Sequence, residues 1–235
     1  MNDPDFLEAL KRHLPRVPGI HAKEEYFNSV VLLPLVRLDG EYHLLFEKRS
    51  PDIRQGGEVC FPGGEYDPDK DAGLRETALR ETVEETGISL DRIEIIGVLD
   101  TMVHPTGMTV DAFVAVVHLS SLKELALNPA EVEYVFTVPV SWFLHHPPEV
   151  YHADMELHPS CTDEATGREV VLLPARELGL PEKYTKPWGG RRFRILVYRT
   201  PRDLVWGITA RLVWDLTKRI PAHHCRPAAK PPGNV

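Results

Sequence analysis

Cysteine is scarce: the 235 residues hold three, Cys60, Cys161 and Cys225. They are too few and too scattered for a disulfide framework or a CxxC zinc site, and a reducing cytoplasm is the simplest setting. No apolar run in the sequence reaches the roughly eighteen residues that a membrane-spanning helix needs, so no membrane partner is expected. A basic excess is missing as well. Lys and Arg number 27 against 35 Asp and Glu, a formal net charge of −8. That balance argues against a nucleic-acid partner held by a basic surface. The opening residues Met1-Asn2-Asp3-Pro4-Asp5 are acidic and lack the apolar core of a signal peptide. No internal repeat is present. What is there suits one α/β domain with additions, and a hydrophobic content of 43% is enough for a sizeable core.

The stretch at residues 63–88 is where the chemistry concentrates. Gly63-Gly64 opens a polar turn containing Asp67, Asp69 and Asp71; a helical run follows, and Gly87 stops it. On that helix Glu81 and Glu85 stand one turn apart with Glu84 beside them, which puts three carboxylates on one patch. Like charges at this spacing destabilise a bare helix. Arg80 can pair with Glu84 at i, i+4, but one arginine does not neutralise three glutamates. A hard divalent ion that prefers carboxylate oxygens fits the gap. A solvated acidic helix face is the plainer reading of the same residues.

The full spacing, Arg80-Glu81-x-x-Glu84-Glu85-x-Gly87-Ile88 behind a Gly-Gly loop, resembles the Nudix box of the pyrophosphohydrolase superfamily. The second half of the box is present, with Thr82 in the place of an apolar residue. The first half departs more. Gly64 lies about two residues further from Arg80 than the pattern has it, and Ala72 occupies the place of the first glutamate. Just upstream, Arg49-Ser50, Arg54, Gly57-Glu58-Val59 and Phe61-Pro62-Gly63-Gly64 resemble the signature of coenzyme A pyrophosphatases within that superfamily. One extra residue precedes Arg49, and the interval from Arg54 to Gly57 is one shorter. Trp206-Gly207-x-Thr209-Ala210 is similar to the closing helix of the same group.

The resemblance implies an α/β protein with a Nudix-type α/β/α sandwich and a mixed β-sheet. It would occupy residues 29–220, with an N-terminal helix and lead-in over 1–28, an insertion at about 149–191 and a disordered tail over 221–235. It implies Mg²⁺ or Mn²⁺ held by Glu81, Glu84 and Glu85, with Arg80 orienting them. A carboxylate of the box, or Glu131 or Glu133, would take the proton of the attacking water. Arg49 and Arg54 suit bidentate contacts to phosphate, and Gly63 and Gly64 let backbone N–H groups approach it. The implied reaction splits the diphosphate of coenzyme A into 3′,5′-ADP and 4′-phosphopantetheine. Another nucleoside diphosphate, such as ADP-ribose or a dinucleotide polyphosphate, is the nearest alternative. A non-catalytic module that senses a nucleotide is an alternative of a different class. A homodimer is left open.

Elsewhere the pattern predicts a short amphipathic helix over 4–14 and strands over 29–38 and 41–48, joined by the hairpin signal Asp39-Gly40. On the second strand Tyr42, Leu44 and Phe46 share one face, and His43, Leu45 and Glu47 the other. Further strands are expected at 92–103, 109–119, 135–140 and 192–199, a short helix at 141–144, a hairpin near Thr166-Gly167, and a closing helix over 204–220. Glu131 and Glu133, if both lie in a strand, point to one side, so spacing does not choose between them. His104 reads as a structural turn histidine ahead of a proton donor. Trp188 with Arg191 and Arg192 reads as a surface turn ahead of an adenine-stacking site.

Overall fold

In a computed structural model of the chain, residues 4–221 are described. The strands are β1 (Phe27–Leu38), β2 (Glu41–Arg49), β3 (Val59–Cys60), β4 (Gly63–Glu65), β5 (Ile93–Val98), β6 (Met102–His104), β7 (Met108–Val117) and β8 (Val132–Pro139), then β9 (Glu149–Leu157), β10 (Ser160–Thr162), β11 (Glu169–Val171), β12 (Trp188–Arg199) and β13 (Leu204–Trp206). The α-helices are α1 (Pro4–His13), α2 (Leu74–Thr86), α3 (Val140–His145) and α4 (Gly207–Arg219).

β1 is the axis of the molecule. It pairs antiparallel with β2 and β4 and parallel with β7, so the main sheet is mixed, as expected. β2 and β1 are joined by a two-residue turn in which Asp39 (φ 50°) and Gly40 (φ 88°) both have positive φ, the combination a tight hairpin requires. Alternation along β1 divides the core. Val30, Leu32 and Val36 pack with Ala78 of α2 on one face. Leu33 packs on the other with Phe46, Phe136, Phe143 of α3 and Leu212 and Val213 of α4. Phe46 stacks on Phe61 and Phe136 at 4.9 and 5.4 Å. Covered on both sides, β1 and β7 read as near-continuous apolar runs rather than alternating ones. Helices on both faces make the α/β/α layering.

A second sheet, ordered β13-β12-β9, lies beside the α4 layer, and β10 pairs with β11 as the hairpin expected near Thr166-Gly167. Three boundaries differ from the sequence pattern. The strand expected over 92–103 is two strands, β5 and β6, separated by residues 99–101. Trp188 and its arginines open strand β12 rather than forming a turn, and Trp188 meets Tyr184 edge-on. The closing helix starts at Gly207, not at Leu204. Leu204-Val205-Trp206 pair with β12, and Gly207 (φ 62°) turns the chain into the helix. Leu204 therefore lies outside the helix and is 45% exposed, whereas Leu212 and Val213 of the helix are buried. α1 forms where helical spacing placed it, with Leu7 and Leu10 facing outward. The tail expected over 221–235, and with it Cys225, lies outside the described residues apart from Pro221.

Candidate active site

Helix α2 carries the box residues, and Gly87 (φ 71°) caps it in the left-handed conformation with its N–H bonded to the Val83 carbonyl. Thr82 is fully buried where the pattern has an apolar residue. Its hydroxyl donates to the Ala78 carbonyl at 2.7 Å, so the polar atom is satisfied inside the helix. Arg80 is held from both sides. Its Nε and one terminal nitrogen donate to the two oxygens of Asp71, each at 2.9 Å. The other terminal nitrogen reaches Glu81 at 2.7 Å and Glu84 at 3.1 Å. Asp71 is buried, and the Arg80 hydrogen bonds hold its carboxyl down at about 2. Asp71 thus supplies the acid that Ala72 does not, one residue earlier in the chain.

The glycine pair forms β4, with Gly63 opposite Val31 and Gly64 opposite Val30. Gly63 has φ 155°, and a Cβ there would lie 2.2 Å from the Val30 carbonyl oxygen. A Cβ on Gly64 would lie 2.4 Å from the Glu81 carboxyl carbon. Gly63 is glycine because the β1 backbone leaves no room for a side chain, and at Gly64 a Cβ would push the Glu81 carboxylate aside. The Gly63 N–H donates to Glu85 Oε2 at 2.8 Å.

Glu85 is 2% exposed. Burial above all, with Glu81 and Glu131 adding repulsion, pushes its carboxyl up to about 8 against the hydrogen bond from Gly63. Beside it lies Glu47, which sequence reasoning put on the Leu45 face of β2 without giving it a role. Glu47 is 1% exposed, and neither carboxylate oxygen has a hydrogen-bond partner. Burial, then the Glu85 charge, pushes its carboxyl well above the ordinary value. The signal was available: a glutamate in register with Leu45 must point toward the helix layer that carries the box.

The other candidates separate. Glu131 sits in a turn ahead of β8, where Asn128 Nδ2 donates to its Oε1 at 3.2 Å. It adds negative charge at both Glu47 and Glu85. Glu133 is exposed on β8. Because Glu131 precedes the strand, the same-side rule does not hold for the two. Arg49 Nε donates to the Arg54 carbonyl at 3.2 Å, and Arg49 lines a cleft with Gly63. Arg54 instead lies over the Phe27 ring at 4.9 Å and does not line that cleft.

Among the described residues, no three His, Cys, Asp or Glu side chains stand together as a ready metal-holding group. Arg80 engages Glu81 and Glu84, and Gly63 engages Glu85. The donor set nonetheless fits a hard divalent cation. Two buried oxygens of Glu47 have no hydrogen-bond donor beside a second buried carboxyl, and burial favours the protonated form of both; a bound cation would displace those protons and balance the carboxylates.

A family model described as NUDIX domain matches residues 26–160, more than half of the chain. The chain belongs to this family. Among its relatives, Nudix hydrolase 3 of Caenorhabditis elegans is 42% identical over 113 residues, 47% of this chain and 46% of that protein. Peroxisomal coenzyme A diphosphatase NUDT7 of Mus musculus is 39% identical over 123 residues, 52% of this chain and 50% of that protein. The chain spans about half the length of these two relatives. The Nudix hydrolase NudL of Photorhabdus laumondii is 27% identical over 217 residues, 92% of this chain and 96% of that protein. The Nudix match takes in the whole of the main sheet together with α2 and α3, and ends before β12 and α4. No helix among the described residues is long and apolar enough to cross a membrane.

Proposed function

We propose that this Nudix protein hydrolyses a phosphoric anhydride, and that its substrate is the diphosphate of coenzyme A or a derivative, released as 3′,5′-ADP and 4′-phosphopantetheine. The observation that carries the reading is the buried Glu47–Glu85 pair, which is tied through the Gly63 N–H to a residue that lines a cleft with Arg49. The upstream Arg49-to-Gly64 segment and the likeness to a coenzyme A diphosphatase over half of each chain favour coenzyme A over other diphosphates.

Glu81, Glu84, Glu85 and Glu47 would hold Mg²⁺ or Mn²⁺, which when bound neutralises diphosphate charge and acidifies a water. The chain's own part is positioning and charge placement. Arg80, pinned by Asp71, orients Glu81 and Glu84 and limits how far they swing. Arg49 stands at the cleft to meet phosphate oxygens through a bidentate contact. Glu131, near the carboxylate pair but itself half-exposed, is placed to take the proton of the attacking water, and we assign that role to it ahead of Glu133. The free thiols of Cys60 and Cys161 agree with a reducing compartment, and we place the activity in the cytoplasm.

The test is turnover with Mg²⁺ on coenzyme A, ADP-ribose and NADH. Preference for coenzyme A is expected. Preference for ADP-ribose would move the substrate assignment, and metal-independent binding of a nucleotide without turnover would make the chain a sensor.

A further inference from the structure

The cleft beside Gly63 has a volume of about 420 Å³. That is within the usual range for a small-molecule site, roughly 300–1,000 Å³. Arg49, Glu58, Gln55 and Ser29 line part of it, and the rest is largely apolar: Val31 and Val110 from the main sheet, Phe193 and Ile195 from β12, and Ile208 and Leu212 from α4. The two sides have different origins. Val31 and Val110 lie within the Nudix match, whereas the β12 and α4 side chains all lie beyond residue 160, where the match ends. His104 at the rim stacks edge-on against Phe193 at 5.0 Å, and burial lowers its pKa, which favours the neutral ring. The Thr209 hydroxyl is already spent on the Val59 carbonyl at 3.0 Å.

We propose that this cleft takes the aliphatic, pantetheine-type arm of the substrate, and that β12 and α4 thereby select a coenzyme-A-type diphosphate over one whose second arm is a sugar. The inference rests on the coenzyme A reading above. In coenzyme A the carbon chain next to the diphosphate is branched hydrocarbon, bearing two methyl groups before its first hydroxyl. Such a unit loses little on leaving water and gains contact with Phe193, Ile195, Ile208 and Leu212. A ribose against the same four side chains would bury hydroxyls where they find no partner, at a cost of about 1–3 kcal/mol for each stranded group. The opposite half of coenzyme A is excluded for a second reason. Its 3′-phosphate needs a cation of its own, and the one cation lining the cleft among the described residues, Arg49, is already committed to the diphosphate in the reading above.

The test measures binding of the two half-products to the full chain without metal, with ribose 5-phosphate as the sugar counterpart, alongside turnover of coenzyme A with Mg²⁺. The wild type is expected to bind 4′-phosphopantetheine about tenfold or more tighter than ribose 5-phosphate, the discrimination a few methyl groups give in an apolar pocket. Ile208→Trp, which fills the cleft, should erase that difference and raise KM for coenzyme A by a similar factor, while affinity for 3′,5′-ADP stays within about twofold. Phe193→Ala provides the same comparison by opening the wall, should the tryptophan variant not fold. Equal binding of 4′-phosphopantetheine and ribose 5-phosphate by the wild type overturns the proposal. So does a loss of 3′,5′-ADP affinity that matches the loss of 4′-phosphopantetheine. Coenzyme A turnover with both variants unaffected overturns the cleft assignment alone. Selective 4′-phosphopantetheine binding without coenzyme A turnover supports the cleft and overturns the reaction.

Discussion

Around Arg80, helix α2 meets its acids with a cation of the chain's own: Asp71 takes two hydrogen bonds from the guanidinium, and Glu81 and Glu84 share the remaining nitrogen. One turn later, around Glu85, no ion pair closes the account among the described residues. Glu85 accepts one backbone N–H, Glu47 has the Glu85 carboxyl beside it and no donor in hydrogen-bond geometry, and the charge of Arg49 favours both only from a distance. The carboxyls respond in opposite directions, Asp71 held down at about 2 and Glu85 pushed up to about 8. The difference separates two uses of negative charge. At Arg80 it fixes the loop to the helix, and at Glu85 burial favours the protonated carboxyl, which an incoming cation would return to the charged form.

The contrast breaks most visibly at Glu85. Glu85→Gln keeps the shape and removes the charge, and turnover is expected to fall about 10²–10³-fold, the usual loss when one preorganised charge-stabilising group is removed. Kinetics with saturating Mg²⁺ measure it; activity within a few-fold of wild type removes Glu85 from the cation site. At the other end, Asp71→Ala leaves Arg80 without its anchor and is expected to cost about 2–3 kcal/mol, somewhat under the figure for a fully buried pair because Arg80 is partly exposed. Urea unfolding gives the value, and a cost below about 0.5 kcal/mol would reduce the pair to an ordinary surface contact.

Glu47→Gln sharpens the same comparison from the neighbouring strand. Removing one of two facing buried acids should raise Tm in metal-free buffer by about 2–4 °C, equivalent to roughly 1 kcal/mol for a chain of this size. It should also shrink the Tm gain on adding Mg²⁺. An unchanged Mg²⁺ response would leave Glu47 a strained bystander. The smallest effect is at the acid limit. Asp71 has a folded value of about 2 against an ordinary 3.8, so the unfolded chain binds more protons between those values. Its contribution is fully present above pH 3.8 and is lost as pH falls through about 2. Asp71→Asn is therefore expected to be less stable than wild type above that window and to lose less across it, as acid titration followed by circular dichroism would report.

Local chemistry made some of this plain from the residues alone. Asp39-Gly40 set its hairpin and Gly87 its helix end because each acts through its own backbone angles. The Arg80–Glu84 pair follows from helical spacing. Glu47 was harder, because its burial depends on meeting Glu85 of a helix some thirty residues on, which packs on β1 and β4. Asp71 was obscured by its offset of one position from the expected acid, which only the loop's path corrects. Glu131 and Glu133 could not be told apart until Asn128 was seen to turn the chain ahead of β8. The far wall of the cleft was legible only in part: Trp206-Gly207-x-Thr209-Ala210 marked α4, while nothing local to Phe193 and Ile195 shows that the second sheet brings them to the same cleft as Val110.

A saturation scan of this chain would mark Gly63 and Gly64 as intolerant as the acids they adjoin, although neither has a functional group. At Gly64 even an alanine methyl would collide with Glu81, and at Gly63 with the Val30 carbonyl. Loss of activity there would record a displaced carboxylate or strand, so those two positions act as gauges of spacing, and their phenotypes belong to the neighbours they would push aside.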